Sequence, residues 1–330
     1  MKAVLIIVCG AAVLFVLALL AVGYYMFKVI TSRPDPAKKA PETEERYIQR
    51  EKDRERDKKI LFNHPSETVS VNTADGLVLR GWYFPSGKET KRFVIFSHGH
   101  KCNGPDEFAH IIPLYLEELG YNILLPDHRA HGRSDGKYIG FSVLDSKDIL
   151  LWVDYLTKRF GDDIEIIMHG ASMGGATVLL ANESDKIQPQ VKLIVDDCGF
   201  SNAKEELCLG IKDTFGFRFD ILFPFANFFC KLLAKYSFTD SNALKNINKS
   251  KNPILFIHGE EDTYVPTYMS QQLYDACDSV KKDILIVKDA VHVFSYYTAP
   301  DLYKAKVKEF IKNTIGDENI PATTTEEKVD

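Results

Sequence analysis

Apolar and polar positions divide the chain into stretches of different character. No charged residue interrupts residues 3–27. As a helix rising about 1.5 Å per residue, those 25 positions would reach roughly 37 Å, more than the ~30 Å hydrocarbon core of a bilayer. The run therefore predicts one membrane-spanning helix within a 1–30 anchor. A cleaved signal peptide fits less well: its apolar stretch is about 7–15 residues long and ends at a small-residue cleavage site, and no such site follows Gly23-Tyr24-Tyr25.

Between about residues 65 and 315, short β-branched runs alternate with longer helical stretches. This is the pattern of a mostly parallel sheet with helices on both faces. Residues 67–73 and 77–84 alternate around Ala74-Asp75-Gly76, which predicts an opening antiparallel hairpin. Six further runs follow at 93–97, 122–125, 165–168, 193–195, 254–257 and 284–287, making an eight-stranded sheet. Each ends beside polar or glycine residues, and ligands bind at the carboxyl ends of strands in such sheets. Those clusters should converge on one site.

The connecting segments have their own composition. Residues 31–64 read as a linker and charged stalk, with three prolines early and seven acidic and seven basic residues between 42 and 59. Balanced charge predicts a solvated helix with little attraction to lipid. The 316–330 tail is polar and acidic and is expected to be disordered. A net charge of -5 provides no basic field for a phosphate backbone, so nucleic acid is not an expected partner. Six scattered cysteines without a C-x-x-C pair argue against a structural zinc site and a dense disulfide framework. Lysine and arginine counts lean toward a cytoplasmic catalytic domain on a single-pass cell-membrane protein, but a two-residue N-terminal tail leaves the side open.

The chemistry concentrates around Gly170-Ala171-Ser172-Met173-Gly174-Gly175, which follows a predicted strand and opens a predicted helix. In that context G-x-S-x-G is a tight turn that exposes the Ser172 hydroxyl and aims the Met173 amide at a reacting carbonyl. A serine hydroxyl needs a neighbouring base, and histidine titrates in the useful range. Of nine histidines, His292 lies in a loop past the last strand. Asp262 follows the seventh strand and is positioned in chain order to fix the histidine's tautomer, with Glu260 and Glu261 as nearby substitutes. The loop Ser97-His98-Gly99-His100 offers the His100 backbone amide as a second oxyanion donor, while its side chain has an alternative role in substrate contact. His98 is expected to hold that loop. Asp127, His128 and His131 invite a metal reading, but no further ligand motif accompanies them, and bracing is the preferred role.

Residues 97–104, 126–136, 169–175, 258–266 and 290–297 together resemble the α/β-hydrolase superfamily, particularly bacterial serine hydrolases with an N-terminal membrane segment. The resemblance covers about residues 65–315. It implies an α/β-hydrolase fold, a Ser172–His292–Asp262 triad and an oxyanion hole formed by the amides of His100 and Met173. Ala290 departs from the pattern, since a glycine often stands before this histidine. The insertion at about 200–252 is too long for a plain connection and predicts a helical cap. Its Phe215, Phe217, Phe219, Phe223, Phe225, Phe228 and Phe229 should mostly pack the cap onto the sheet, with the remainder lining an acyl pocket. The expected activity is hydrolysis of small or lipid-like esters through an acyl-enzyme, with no metal or cofactor. The alternatives are a peptidase or amidase using the same triad and a non-catalytic membrane-tethered module.

Overall fold

The computed structural model describes residues 1–35, 43–216, 218–279 and 281–317. Eight strands, β1 (Glu67–Asn72), β2 (Val78–Phe84), β3 (Arg92–Ser97), β4 (Asn122–Pro126), β5 (Glu165–Ala171), β6 (Val191–Asp197), β7 (Ile254–Gly259) and β8 (Lys282–Val287), form one sheet. Its spatial order is β1-β2-β4-β3-β5-β6-β7-β8. β2 runs antiparallel to both β1 and β4, and the remaining neighbours are parallel. The interior of β3, Phe93 to Phe96, is apolar and buried because both faces of the sheet are covered there, so alternate residues enter different cores. Val94 and Phe96 of β3 join one cluster and Phe93 and Ile95 the other.

The helices are α1 (Lys2–Thr31), α2 (Glu45–Leu61), α3 (Gly104–Phe108), α4 (Asp145–Phe160), α5 (Met173–Asn182), α6 (Ala203–Phe215), α7 (Phe223–Phe229), α8 (Tyr268–Ala276), α9 (Ser295–Thr298) and α10 (Pro300–Ile315). Side chains from α3 and α10 line one face of the sheet, and those from α4, α5 and α8 line the other. A third cluster joins the cap, the start of α5 and the end of α1. Register aligns the carboxyl ends of the central strands: Ser97 pairs with Gly170, Ala171 with Asp197, and Asp197 with Ile257.

The N-terminal segments depart from the expected arrangement. α1 is long and apolar enough to cross a membrane, but Met26, Phe27 and Ile30 near its end are buried in the domain. The expected 3–27 span thus includes residues that pack against protein. Residues 31–33 behave as part of the fold: Ile139 N donates to Thr31 O at 2.8 Å, and Arg33 donates to Ser134 O at 2.7 Å.

α2 is helical as expected but is not surrounded by solvent. Arg50, Arg54 and Lys58 recur every four residues and so share one face, which meets the acidic start of α3. Arg50 lies 3.1 Å and Arg54 3.5 Å from Glu107, and Lys58 lies 2.6 Å from Asp106. Leu61 of α2 enters the core. Balanced composition concealed this one-sided arrangement.

At the other end, Asp317 is buried and pairs with Arg92 at 2.7 Å, so the expected tail begins later than residue 316. Residues 318–330, the linker residues 36–42, Phe217 and the side chain of Phe215 lie outside the described structure.

Candidate active site

Ser172 occupies the single residue between β5 and α5, with φ 55° and ψ -120°. A left-handed φ at a non-glycine residue is strained and is held here by its surroundings. The neighbouring glycines permit the turn. A Cβ on Gly170 would overlap the Gly174 carbonyl, and one on Gly174 would overlap that of Ser97. The Ser172 amide donates to Asp197 O at 2.8 Å, tying the turn to β6.

His292 reaches this turn from the loop between β8 and α9. Its Nε2 lies 2.9 Å from Ser172 Oγ, and its Nδ1 lies 2.7 Å from Asp262 Oδ2. Asp262 is buried, and its other oxygen accepts the amides of Tyr264 at 3.0 Å and Val265 at 2.9 Å. Burial by itself would raise the Asp262 pKa, but the adjacent His292 and His258 lower it to about 2, so the carboxylate is charged. His258 is wholly buried, and its Nε2 lies 3.1 Å from Asp262 Oδ2 and 2.8 Å from Val265 O. A carbonyl can only accept, so this nitrogen carries a proton. Glu260 and Glu261, the nearby substitutes, are exposed. Ala290 is buried without displacing His292, and the loop turns at Asp289 and Val293, both with positive φ.

The expected oxyanion donors flank the serine. Met173 begins α5, so its amide has no acceptor one turn earlier within that helix. The loop after β3 passes beside the turn, and a Cβ on Gly99 would lie 3.4 Å from Ser172 Cβ. The next amide, that of His100, has no hydrogen-bond acceptor among the described residues.

The His100 side chain is half-buried and turned toward the end of α1. Its Nε2 lies 2.8 Å from Ile30 O, and Lys101 Nζ donates to Val29 O at 2.7 Å. Burial lowers the His100 pKa to about 4, so the neutral imidazole donates Nε2–H to the α1 carbonyl. The loop beside the serine is therefore braced by the end of α1. Apolar patterning gives no signal for these contacts, because the acceptors are backbone carbonyls 70 and 72 positions away.

The other histidines support the bracing role. His98 Nε2 accepts the His128 amide at 2.9 Å, and His98 Nδ1 donates to Gly99 O at 2.8 Å. His128 Nε2 lies 2.9 Å from Ser97 Oγ. His131 Nε2 accepts the Lys101 amide at 3.0 Å, while its Nδ1 donates to Arg129 O at 2.9 Å. Burial lowers the pKa of all three imidazoles, keeping them neutral. The Asp127–His128–His131 segment thus joins two loops, and its bonds leave little of the donor set a zinc ion would take. Tyr264, whose ring centroid lies 4.9 Å from that of His292, was not singled out from sequence.

With its mixed sheet and the serine turn after β5, the chain belongs to the α/β-hydrolase superfamily of serine hydrolases. Residues 88–196 match the family profile described as "Serine aminopeptidase, S33" and residues 168–293 the one described as "Serine hydrolase (FSH1)". Among individual relatives, YqkD of Bacillus subtilis is 30% identical over 95% of this chain and 98% of its own length. The lysophosphatidylserine lipase ABHD12 of Danio rerio is 28% identical over 59% of this chain and 49% of its own length. Among solved structures, the Pyrococcus furiosus esterase Pf2001 aligns with a TM-score of 0.63 and 25% identity, covering 77% of this chain and 93% of that one.

Proposed function

We propose that this chain is a membrane-anchored serine esterase with Ser172 as nucleophile, His292 as general base and Asp262 as the residue that orients it. The observation that carries the proposal is the continuous hydrogen-bonded line from Ser172 Oγ through His292 to Asp262, at 2.9 and 2.7 Å. A nucleophile, a base within reach and a third group fixing the base form the arrangement needed for covalent acyl transfer.

His292 Nε2 takes the Ser172 proton as Oγ attacks the ester carbonyl. Asp262 receives Nδ1–H and stabilises the imidazolium. The developing oxyanion lies between the amides of Met173 and His100. Collapse breaks the bond to the alcohol, which leaves with the proton from His292. Water, deprotonated by the same imidazole, then attacks the acyl-enzyme carbonyl; collapse breaks the acyl–Oγ bond, Ser172 Oγ takes its proton back from His292, and the acid is released. Apart from that water, every proton transfer and bond change is carried by Ser172 and His292.

Similarity to the Pyrococcus furiosus esterase favours an ester substrate. Similarity to a lysophosphatidylserine lipase and the apolar α1 favour a lipid-like one presented at a membrane. A peptidase reading draws on the profile described as a serine aminopeptidase. Parallel assays of acyl esters and aminoacyl amides test the choice: faster amide turnover would replace the esterase reading. In both assays Ser172→Ala should abolish activity.

A further inference from the structure

We propose that the outward face of the cap around α7 is a lipid-contact surface that seats the domain in the headgroup region of the bilayer. The proposal rests on α1 crossing that bilayer, and its first support is a matter of depth. About 20 helical residues cross ~30 Å of hydrocarbon. Starting from Ala3, just beyond the charged Lys2, that length ends near Val22. Leu19 and Leu20 are already partly covered, and Gly23 is buried. A Cβ on Gly23 would meet the backbone of Phe225 at 2.9 Å, and the Tyr24 ring lies 5.3 Å from that of Phe229. α7 therefore meets α1 where α1 leaves the hydrocarbon.

The second support is the pattern of the cap itself. Phe223, Ala226, Cys230 and Ala234 are buried at helical spacing. The opposite stripe consists of Ile221, Phe225, Phe228 and Leu232. Phe225 touches α1, whereas Ile221, Phe228 and Leu232 are 64%, 51% and 49% exposed. Large apolar side chains clustered on one exposed face signify an interaction surface. Lys231 and Lys235 stand exposed among them, and long basic side chains extend toward headgroups from such positions. Because the stripe continues the α1–α7 contact at the membrane-exit depth, lipid is the occupant that fits, ahead of a second copy of the chain.

Depth-dependent fluorescence quenching tests this in the full chain, reconstituted in nanodiscs whose lipids carry bromine near the headgroup or deep in the acyl chain. Phe228→Trp and Leu232→Trp report on the cap, Phe15→Trp on the helix and Leu302→Trp on a remote exposed site. Emission from Trp82 and Trp152 is subtracted using the unsubstituted chain. The proposal predicts about a twofold loss of emission at 228 and 232 with shallow bromine, matching interfacial burial of about 5–10 Å. Phe15→Trp should respond to deep bromine and Leu302→Trp to neither. Quenching at 15 with 228 and 232 as silent as 302 would overturn the cap proposal alone. Silence at 15 would remove the membrane reading with it, and emission shifts at 228 and 232 that follow protein concentration rather than bromine would assign the face to self-association. Ester turnover, measured on the same nanodiscs, reports separately on the hydrolase proposal.

Discussion

Asp262 accepts bonds from two imidazoles and two backbone amides, so its orientation is fixed before substrate arrives. Asp262→Asn keeps the shape but reverses the hydrogen-bond demand on His292 Nδ1, and kcat should fall about 10⁴-fold with little change in KM. An unchanged kcat would remove Asp262 from its role. His100 is a positioning residue. His100→Ala should lower kcat by up to about 100-fold, as misplacing a catalytic group by about 1 Å does, while His100→Gln restores part of the rate by keeping a donor toward Ile30 O. A purely structural role would lower the melting temperature of both variants and leave kcat of the folded fraction unchanged. The juxtaposition of Ser172, His292 and Asp262 was legible in the sequence because a strand-to-helix serine motif and the order Ser, Asp, His each constrain the answer. The His100–Ile30 contact was not, since it joins a side chain to a distant carbonyl in a segment whose apolar residues suit a membrane and a protein core equally.

Among the helices, α2 departs furthest from a solvated stalk. Its Arg50 and Arg54 surround Glu107, which is buried beneath Gly99 of the loop beside Ser172. Burial alone would raise the Glu107 pKa, but the two guanidinium groups lower it from the ordinary 4.5 to about 2. A depressed carboxylate stabilises the fold above its unfolded pKa, and that contribution is lost as pH falls through the folded value. Unfolding free energy should therefore decline between about pH 4.5 and pH 2 in the wild type, and less steeply in Glu107→Gln. Near neutral pH that variant should be about 3 kcal/mol less stable, because a buried charge loses its partner. Equal pH slopes in a denaturant titration would refute this role. The helix itself was legible from its balanced charge, but its docking was not. Only the four-residue recurrence of Arg50, Arg54 and Lys58 hinted at a committed face.

Across the whole molecule, the segment that reads as an anchor is also part of the hydrolase domain. Phe27 is wholly buried, so Phe27→Ala should destabilise the domain by about 3–5 kcal/mol. A plain tether would leave the melting temperature unchanged. Deleting residues 2–18 should preserve turnover of a soluble ester, whereas deleting residues 2–31 should abolish it by removing core side chains together with the carbonyls that hold His100 and Lys101. The eight strands, the cap and the gathering of candidate site residues at the strand ends could be anticipated because each follows from local periodicity and strand-end chemistry. The union of anchor and domain could not, because hydropathy scores an apolar residue without indicating whether lipid or protein will cover it.

Treating the chain with a fluorophosphonate and locating the adduct by peptide mass spectrometry, while following ester turnover, decides whether Ser172 is the nucleophile of an acyl-transfer site. One adduct should form, on Ser172, in parallel with the loss of turnover, and Ser172→Ala should not be labelled. Turnover that survives complete modification of Ser172, or inactivation by an adduct elsewhere, would contradict that role.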